Sequence, residues 1–368
     1  MNRCLLCAAG SPAAQTFCLP GTAVGTIHGS PALRCPCVKG GIMRTTSPHM
    51  NPFRRIDYPE VNFMSIVKTD VPMTSALNDQ IMDELLATYD FLRSETLTTT
   101  AFGRPVRTLV MGDGPRKVLY TAAHHANEWI TAPVLLKFVE DFAAAIRAGT
   151  KIGDTDARTL ARQVTIHTVP LVNPDGVDLV TGAIRPGSLP YATAAILADY
   201  YPQIPFPDGW KANLLGVDLN LQYPAGWLRA REIKFGQGYT RPGPRDYVGR
   251  APLNQLESRA LAEYTEEVDP ALVLAYHTQG QVIYWQFEDY DVPGARELGE
   301  EFARLSGYTL ADTPYESSFA GYKDWFIQNF RRPGYTIEVG LGENPLPIGQ
   351  FDEIYTANLP IFIRAAQG

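Results

Sequence analysis

Residues 117–131 read Lys117-Val118-Leu119-Tyr120-Thr121-Ala122-Ala123-His124-His125-Ala126-Asn127-Glu128-Trp129-Ile130-Thr131. The stretch from Lys117 to Ala123 is an apolar, β-prone run and predicts a strand. Residues 131–147 read as a helix, with Pro133 tolerated in its first turn. Residues 164–169 predict a second strand, closed by Pro170 and by Asn173-Pro174-Asp175-Gly176, a tetrapeptide whose chemistry favours a turn. Strand, helix and strand in that order form the repeating unit of a parallel sheet covered by helices.

The same alternation extends outward. Upstream, residues 75–92 predict an amphipathic helix, with Ile81, Leu85, Leu86 and Tyr89 at helical spacing. Residues 98–110 are expected to be extended and to meet the central strand around Gly112-Asp113-Gly114. Downstream, residues 185–208 are rich in Pro, Tyr and Ala and read as an insertion or lid with one short helix. Strands are expected at 214–219, 271–276, 281–285 and 335–339. Helices are expected at 254–267, 293–306, 324–330 and 350–366, and residues 222–251 read as loop. The fold class is therefore α/β: an α/β/α sandwich with a mixed, largely parallel central sheet. Ligands of such sheets bind beyond the carboxyl ends of the strands, and His125, His277 and Glu338 all fall at such ends.

Of the 368 residues, 45% are apolar, enough for a sizeable core, and the net charge is −7. That balance lacks the basic excess of a nucleic-acid binder, so no nucleic-acid partner is expected. No apolar run reaches the ~20 residues needed to span a bilayer, so no transmembrane segment is expected. All five cysteines lie at Cys4, Cys7, Cys18, Cys35 and Cys37. Cys4-x-x-Cys7 and Cys35-x-Cys37 with His28 suggest a metal knuckle, but the spacing fits no standard zinc module. Their segment is rich in Gly, Pro, Ser and Thr without periodicity. Residues 4–9 are too short and too interrupted for the apolar core of a signal peptide. Residues 1–50 are therefore expected to form a disordered extension and residues 51–368 the catalytic domain. The expected compartment is the cytoplasm, with secretion or wall association as the alternative.

The chemistry lies in four separated side chains. His125 and Glu128 stand three apart, where a turn lets both meet one metal. His277 follows the apolar run Val273-Leu274-Ala275-Tyr276, and Glu338 interrupts the apolar strand Thr336-Ile337-Glu338-Val339. Each alone has an ordinary structural reading: a turn histidine, a glutamate near a helix N-terminus, a core histidine. A buried carboxylate without a partner is costly, so Glu338 must meet a metal, a cation or water. Together they supply three ligands and one base. Catalytic zinc takes about three protein ligands and keeps one position open, and its water needs a proton acceptor. One zinc per chain is expected.

These motifs resemble the zinc carboxypeptidases of the carboxypeptidase A type over roughly residues 80–366, in the family's order. The resemblance implies that His125, Glu128 and His277 hold zinc and that Glu338 is the general base. It implies that Asp218, in Gly216-Val217-Asp218-Leu219-Asn220, orients the first histidine from behind, and that Asn173-Pro174-Asp175-Gly176 is a family turn. The segments 125–131, 277–285 and 338–342 are most similar to a bacterial branch, the γ-D-glutamyl-L-diamino-acid endopeptidases, which cut cell-wall peptides between D-glutamate and the diamino acid.

The sequence departs from the digestive members. They place an arginine after the asparagine of Asp-x-Asn, where it grips a terminal carboxylate; here Leu221 follows Asn220. Their arginine that polarises the scissile carbonyl follows a tryptophan; here Trp210 is followed by Lys211, which still offers an ammonium to an oxyanion but lacks the planar fork. The arginine before the glutamate ligand is replaced by Asn127. These changes argue against ordinary protein C-termini and suit a small, non-standard peptide. The resemblance further implies substrate-binding roles for Asn220, for Tyr315 as a mobile tyrosine closing over the substrate, and for Lys323 at the specificity position, facing the carboxylate of a diaminopimelate side chain. Alternatively, Tyr315 is a loop aromatic and Lys323 a solvated lysine. The expected partner is a muropeptide or stem peptide cut at the γ-D-glutamyl–diamino acid bond. Three rivals share the signature: a carboxypeptidase for ordinary C-termini, a zinc deacylase of N-acyl amino acids, and a binding module without activity.

Overall fold

The computed structural model describes residues 65–368; the expected N-terminal extension over residues 1–50 and its cysteines lie outside them. In chain order the elements are α1 (Ser75–Thr88), β1 (Thr96–Thr99), β2 (Pro105–Arg107), β3 (Leu109–Met111), β4 (Arg116–Ala122), α2 (Thr131–Ala148), β5 (Lys151–Ile152), β6 (Thr155–Asp156), α3 (Ala157–Gln163), β7 (Val164–Val169), α4 (Pro174–Val180), α5 (Leu189–Ala198), α6 (Trp227–Gly236), α7 (Leu256–Val268), β8 (Leu272–Thr278), β9 (Val282–Tyr284), α8 (Ala295–Ser306), β10 (Thr309–Ala311), α9 (Tyr322–Phe330), β11 (Gly334–Val339) and α10 (Phe351–Gln367).

Seven of the strands form one sheet in the order β10-β9-β11-β8-β4-β7-β3. The strands β7, β4, β8 and β11 run parallel side by side. β10 is parallel to β9, whereas β3 on β7 and β9 on β11 are antiparallel. The sheet is thus mixed and largely parallel, as the alternation of elements requires.

Period-two side-chain alternation explains why the central strands are apolar throughout. Val118, Tyr120 and Ala122 of β4 and Leu272, Leu274 and Tyr276 of β8 enter one core with Phe138 of α2 and Phe362 of α10. Leu119, Val273 and Ala275 enter a second core with Leu261 of α7 and Trp325 and Phe326 of α9. A strand buried on both faces needs apolar residues at every position. Each fully buried large side chain contributes about 1.5–3 kcal/mol relative to exposure.

The same alternation aims the chemistry. Tyr335, Ile337 and Val339 of β11 face the first core, so Thr336 and Glu338 face the other side. On β8, Tyr276 faces the first core and His277 the other side. The parallel register pairs Glu338 directly with His277. One face of two neighbouring strands thus carries a histidine and a carboxylate next to each other.

Several local expectations are corrected. Residues 214–219 do not form a strand. The Asn213 carboxamide accepts the N–H groups of Leu215 and Val217, closing a turn through Gly216 at φ +72°, and the short 3-10 turn Leu219–Leu221 follows. These local bonds occupy the donors a ladder would need. Asn173-Pro174-Asp175-Gly176 is the start of α4, because Asn173 Oδ1 accepts from Gly176 N at 3.0 Å and Pro174 sits in the first turn; cap chemistry and turn chemistry use the same residues. Residues 222–251 contain α6, whose buried residues are only Trp227, Ala230 and Lys234, too few for a visible stripe. The extended segment 98–110 divides into a β1–β2 hairpin and β3. The expected insertion over 185–208 carries α5, and β10 was not expected.

Candidate active site

β4 ends at Ala122, and Ala123 at φ +50° turns the chain off the sheet. The Ala123 N–H donates to Thr131 Oγ1 at 2.9 Å, and that hydroxyl donates to Glu128 O at 2.8 Å, so the first residue of α2 ties the loop shut. Inside it the 3-10 turn Ala126–Glu128 folds Glu128 back beneath His125. From the far side, Asn173 Nδ2 faces the carbonyls of His124, Lys211 and Ala212 at 3.1–3.3 Å. Gly176 is pressed so close that a Cβ there would come within 2.6 Å of Ala212 O and 2.8 Å of Ala126 Cβ. The capped start of α4 at 173–176 therefore clamps two segments of the site together.

His125 Nδ1 lies 2.9 Å from Glu128 Oε1, and His277 Nδ1 lies 2.8 Å from Glu128 Oε2. The two ring nitrogens are 3.3 Å apart. One donor atom from each of His125, Glu128 and His277 thus lies within 4.8 Å of the others. Glu128 and His277 are each 1% exposed. Two nitrogens and a carboxylate on one point, with a cavity on the open side that Glu338 also lines, form the donor set of catalytic zinc, and the residues fit the ion.

The cluster's electrostatics follow from burial and charge. Burial alone would raise the Glu128 pKa, but the charges of His125, Lys211 and His277 outweigh it and hold the carboxylate well below its usual range. Burial would lower His125, yet Glu128 and Asp218 push it up to about 9. His277 is lowered, chiefly by burial. Burial first, and then the negative charge of Glu128, push Glu338 up to about 8. A dication among the ligands offsets Glu128 and draws that value down.

Asp218 stands behind His125, with Oδ1 3.1 Å from His125 Nε2 and 3.1 Å from Asn220 N. Its Oδ2 accepts the N–H of Asp246 at 3.2 Å. With Nε2 facing this carboxylate, His125 turns Nδ1 toward the other donors. Lys211 Nζ is 2.8 Å from Glu128 Oε1, so it holds the carboxylate of the donor cluster while lining the cavity. Asn220 lines the cavity, and its Oδ1 accepts from Tyr322 N at 3.0 Å.

Lys323 also lines the cavity, but it is 4% exposed, with Nζ 2.6 Å from Asp324 Oδ1 and donating to Gln286 O. The reading of a solvated lysine is overturned. Tyr315 is 54% exposed; its hydroxyl accepts from Arg229 Nε at 2.8 Å and its ring packs edge-on to Phe319. Its neighbours Pro314 and Ser317 line the cavity.

Two parts of the site went unread in the sequence. His124 is fully buried and stacks on His277, with centroids 5.4 Å apart and planes 20° apart; the His124-His125 doublet was its visible sign. Arg245, Asp246 and Lys234 form the cavity wall beside Asp218. They lie in a Gly- and Pro-rich stretch without periodicity, which carries no local sign of where its side chains end up.

A model of the zinc carboxypeptidase family matches residues 79–360. The chain is 43% identical over 287 residues to gamma-D-glutamyl-L-diamino acid endopeptidase 1 of Lysinibacillus sphaericus, covering 78% of this chain and 70% of that protein. Among solved structures, thrombin activatable fibrinolysis inhibitor is similar with a TM-score of 0.64 at 15% identity, over 83% of this chain and 76% of that one. Carboxypeptidase A from Helicoverpa armigera is similar with a TM-score of 0.62 at 16% identity, over 83% and 75%. At such identities these two speak for the fold alone. With the fold, the donor cluster and the family match in agreement, the chain belongs to the zinc carboxypeptidase family and is a zinc-dependent metallopeptidase.

Proposed function

We propose that the chain hydrolyses the amide between the γ-carboxyl of D-glutamate and the α-amine of a diamino acid, meso-diaminopimelate or lysine, in peptidoglycan-derived peptides. The observation that carries the substrate is the 43% identity to a relative named for that bond. Leu221 and Lys211, in place of two carboxylate- and carbonyl-binding arginines, support a substrate other than an ordinary C-terminus.

His125, Glu128 and His277 hold the zinc, and Asp218 keeps His125 in the tautomer that offers Nδ1. When bound, the ion supplies Lewis acidity, which makes water nucleophilic near neutral pH and polarises a carbonyl. Glu338 takes a proton from the attacking water as its oxygen bonds to the γ-carbonyl carbon. The C–N bond then breaks, and Glu338 returns the proton to the leaving amine. Lys211 supplies positive charge beside the developing oxyanion. Asn220 and Lys323 line the same cavity and contact the substrate; Tyr315 at the rim reaches it by giving up the Arg229 hydrogen bond.

Mass spectrometry of products from purified muropeptides, with and without a chelator, tests bond and metal together. Cleavage only at D-glutamyl–diamino acid is expected. Release of C-terminal residues from ordinary peptides, or turnover of N-acyl amino acids alone, would replace this function with one of its rivals. Glu338→Gln is expected to keep zinc and lose turnover; full activity in that variant removes Glu338 from the mechanism.

A further inference from the structure

Four Lys and Arg side chains line the cavity: Lys211, Lys234, Arg245 and Lys323. All four meet a carboxylate, and the three lysines do so with their one ammonium group. Lys211 meets Glu128, Lys234 meets Asp246 at 2.7 Å, and Lys323 meets Asp324. Arg245 differs. Its Nε donates to Asp246 Oδ2 at 2.6 Å, and its two terminal amino groups make no hydrogen bond among the described residues. The side chain is 38% exposed.

Arg245 is also anchored to the metal site. Asp246 sits at φ +63°, grips both Lys234 and Arg245 with its carboxylate, and sends its N–H to Asp218, which faces His125. The guanidinium is thus held by one edge with its far end free. A guanidinium stays charged at any working pH, and two parallel N–H groups match a carboxylate bidentately.

We propose that Arg245 binds the free α-carboxylate of the D-glutamyl residue on the acyl side of the scissile bond, and so selects the γ-linkage. A glutamyl residue joined through its γ-carboxyl leaves its α-carboxylate free only a few bonds from the carbonyl under attack. An ordinary α-linked residue has no carboxylate at that place. The Arg245–Asp246–Asp218–His125 chain of contacts keeps the cation close to the ligands, where such a short reach requires it. The assignment of Arg245 rests on the γ-D-glutamyl function proposed above.

The test uses the zinc-loaded full chain and two synthetic peptides, one with γ-D-glutamyl-diaminopimelate and the other identical except that the glutamyl α-carboxylate is an α-amide. In the wild-type protein kcat/KM for the acid should exceed that for the amide by about 10- to 100-fold, the usual size of a charge-assisted pair. In Arg245→Gln the ratio should fall to near 1, and Arg245→Lys should restore part of it while keeping the pair with Asp246. A ratio survives partial loss of folded protein, because both peptides meet the same active molecules. Equal rates in the wild type, or an undiminished preference in Arg245→Gln, overturn the assignment while leaving the γ-D-glutamyl function standing. Failure of the wild type to cut either peptide overturns both.

Discussion

Replacing Asp218 with Asn removes one charge and exchanges one oxygen for an amide nitrogen, at a position where three donors converge. His125 Nε2 and Asn220 N both face Oδ1, and Asp246 N faces Oδ2. With the amide oxygen toward His125, the NH₂ group confronts the Asp246 N–H, donor against donor. With the amide flipped, NH₂ confronts His125 Nε2 and favours the tautomer that places the proton on Nδ1, the nitrogen turned toward the other ligands. Either arrangement loses a charge-assisted hydrogen bond, about 1.5–3 kcal/mol for a buried charged partner. Through the ligand this appears as a roughly 10- to 100-fold weaker hold on zinc. Titration against a competing chromogenic chelator measures it, with a urea unfolding curve verifying that the variant is folded. A folded Asp218→Asn protein with a zinc Kd within about twofold of wild type would refute the reasoning.

Lys211→Met should lower kcat by about 100-fold or more with zinc retained, the scale for losing one oxyanion donor; an unchanged kcat would reduce Lys211 to a support for Glu128. Glu257, buried on α7, is pushed up to about 7 chiefly by desolvation, so its stabilising contribution is complete below about 4.5 and is lost as pH rises through 7. Glu257→Gln should therefore stabilise the fold by up to about 3 kcal/mol at pH 8 and hardly at all at pH 4.5, read from urea midpoints at both pH values; an equal difference at the two would contradict it. Stripping zinc should abolish turnover and remove roughly 3 kcal/mol of stability relative to protein held at 100 times Kd, lowering Tm by several degrees, with zinc restoring both; an apo protein as stable as the loaded one would show that the site holds no ion in the folded state.

The parts of this protein legible in its sequence are those encoded by local periodicity and by chemical type. β4, α2, β7, β8 and β11 fall close to their expected positions because a strand buried on both faces must be continuously apolar and its covering helix amphipathic. Glu338 stood out because a carboxylate within an apolar run needs a partner, and His125, Glu128 and His277 because they follow the ends of such runs and together make up a zinc donor set. Elements whose bonds are made by side chains read poorly. Residues 214–219 look like a strand by composition, yet Asn213 claims their N–H groups; α6 buries too few residues to show a stripe.

What the sequence alone determined was the inventory: which segments are strands and helices, which donor types exist and in what order they occur. What only tertiary structure decided was adjacency. The register that sets Glu338 beside His277, the clamp of Asn173 on two loops, and the bond from the Asp246 N–H to Asp218 join residues far apart along the chain. Such contacts depend on how sheet twist and packing bring loops together. No local preference of Arg245 or Asp246 encodes that, because their energies are settled by neighbours that arrive only when the whole domain folds.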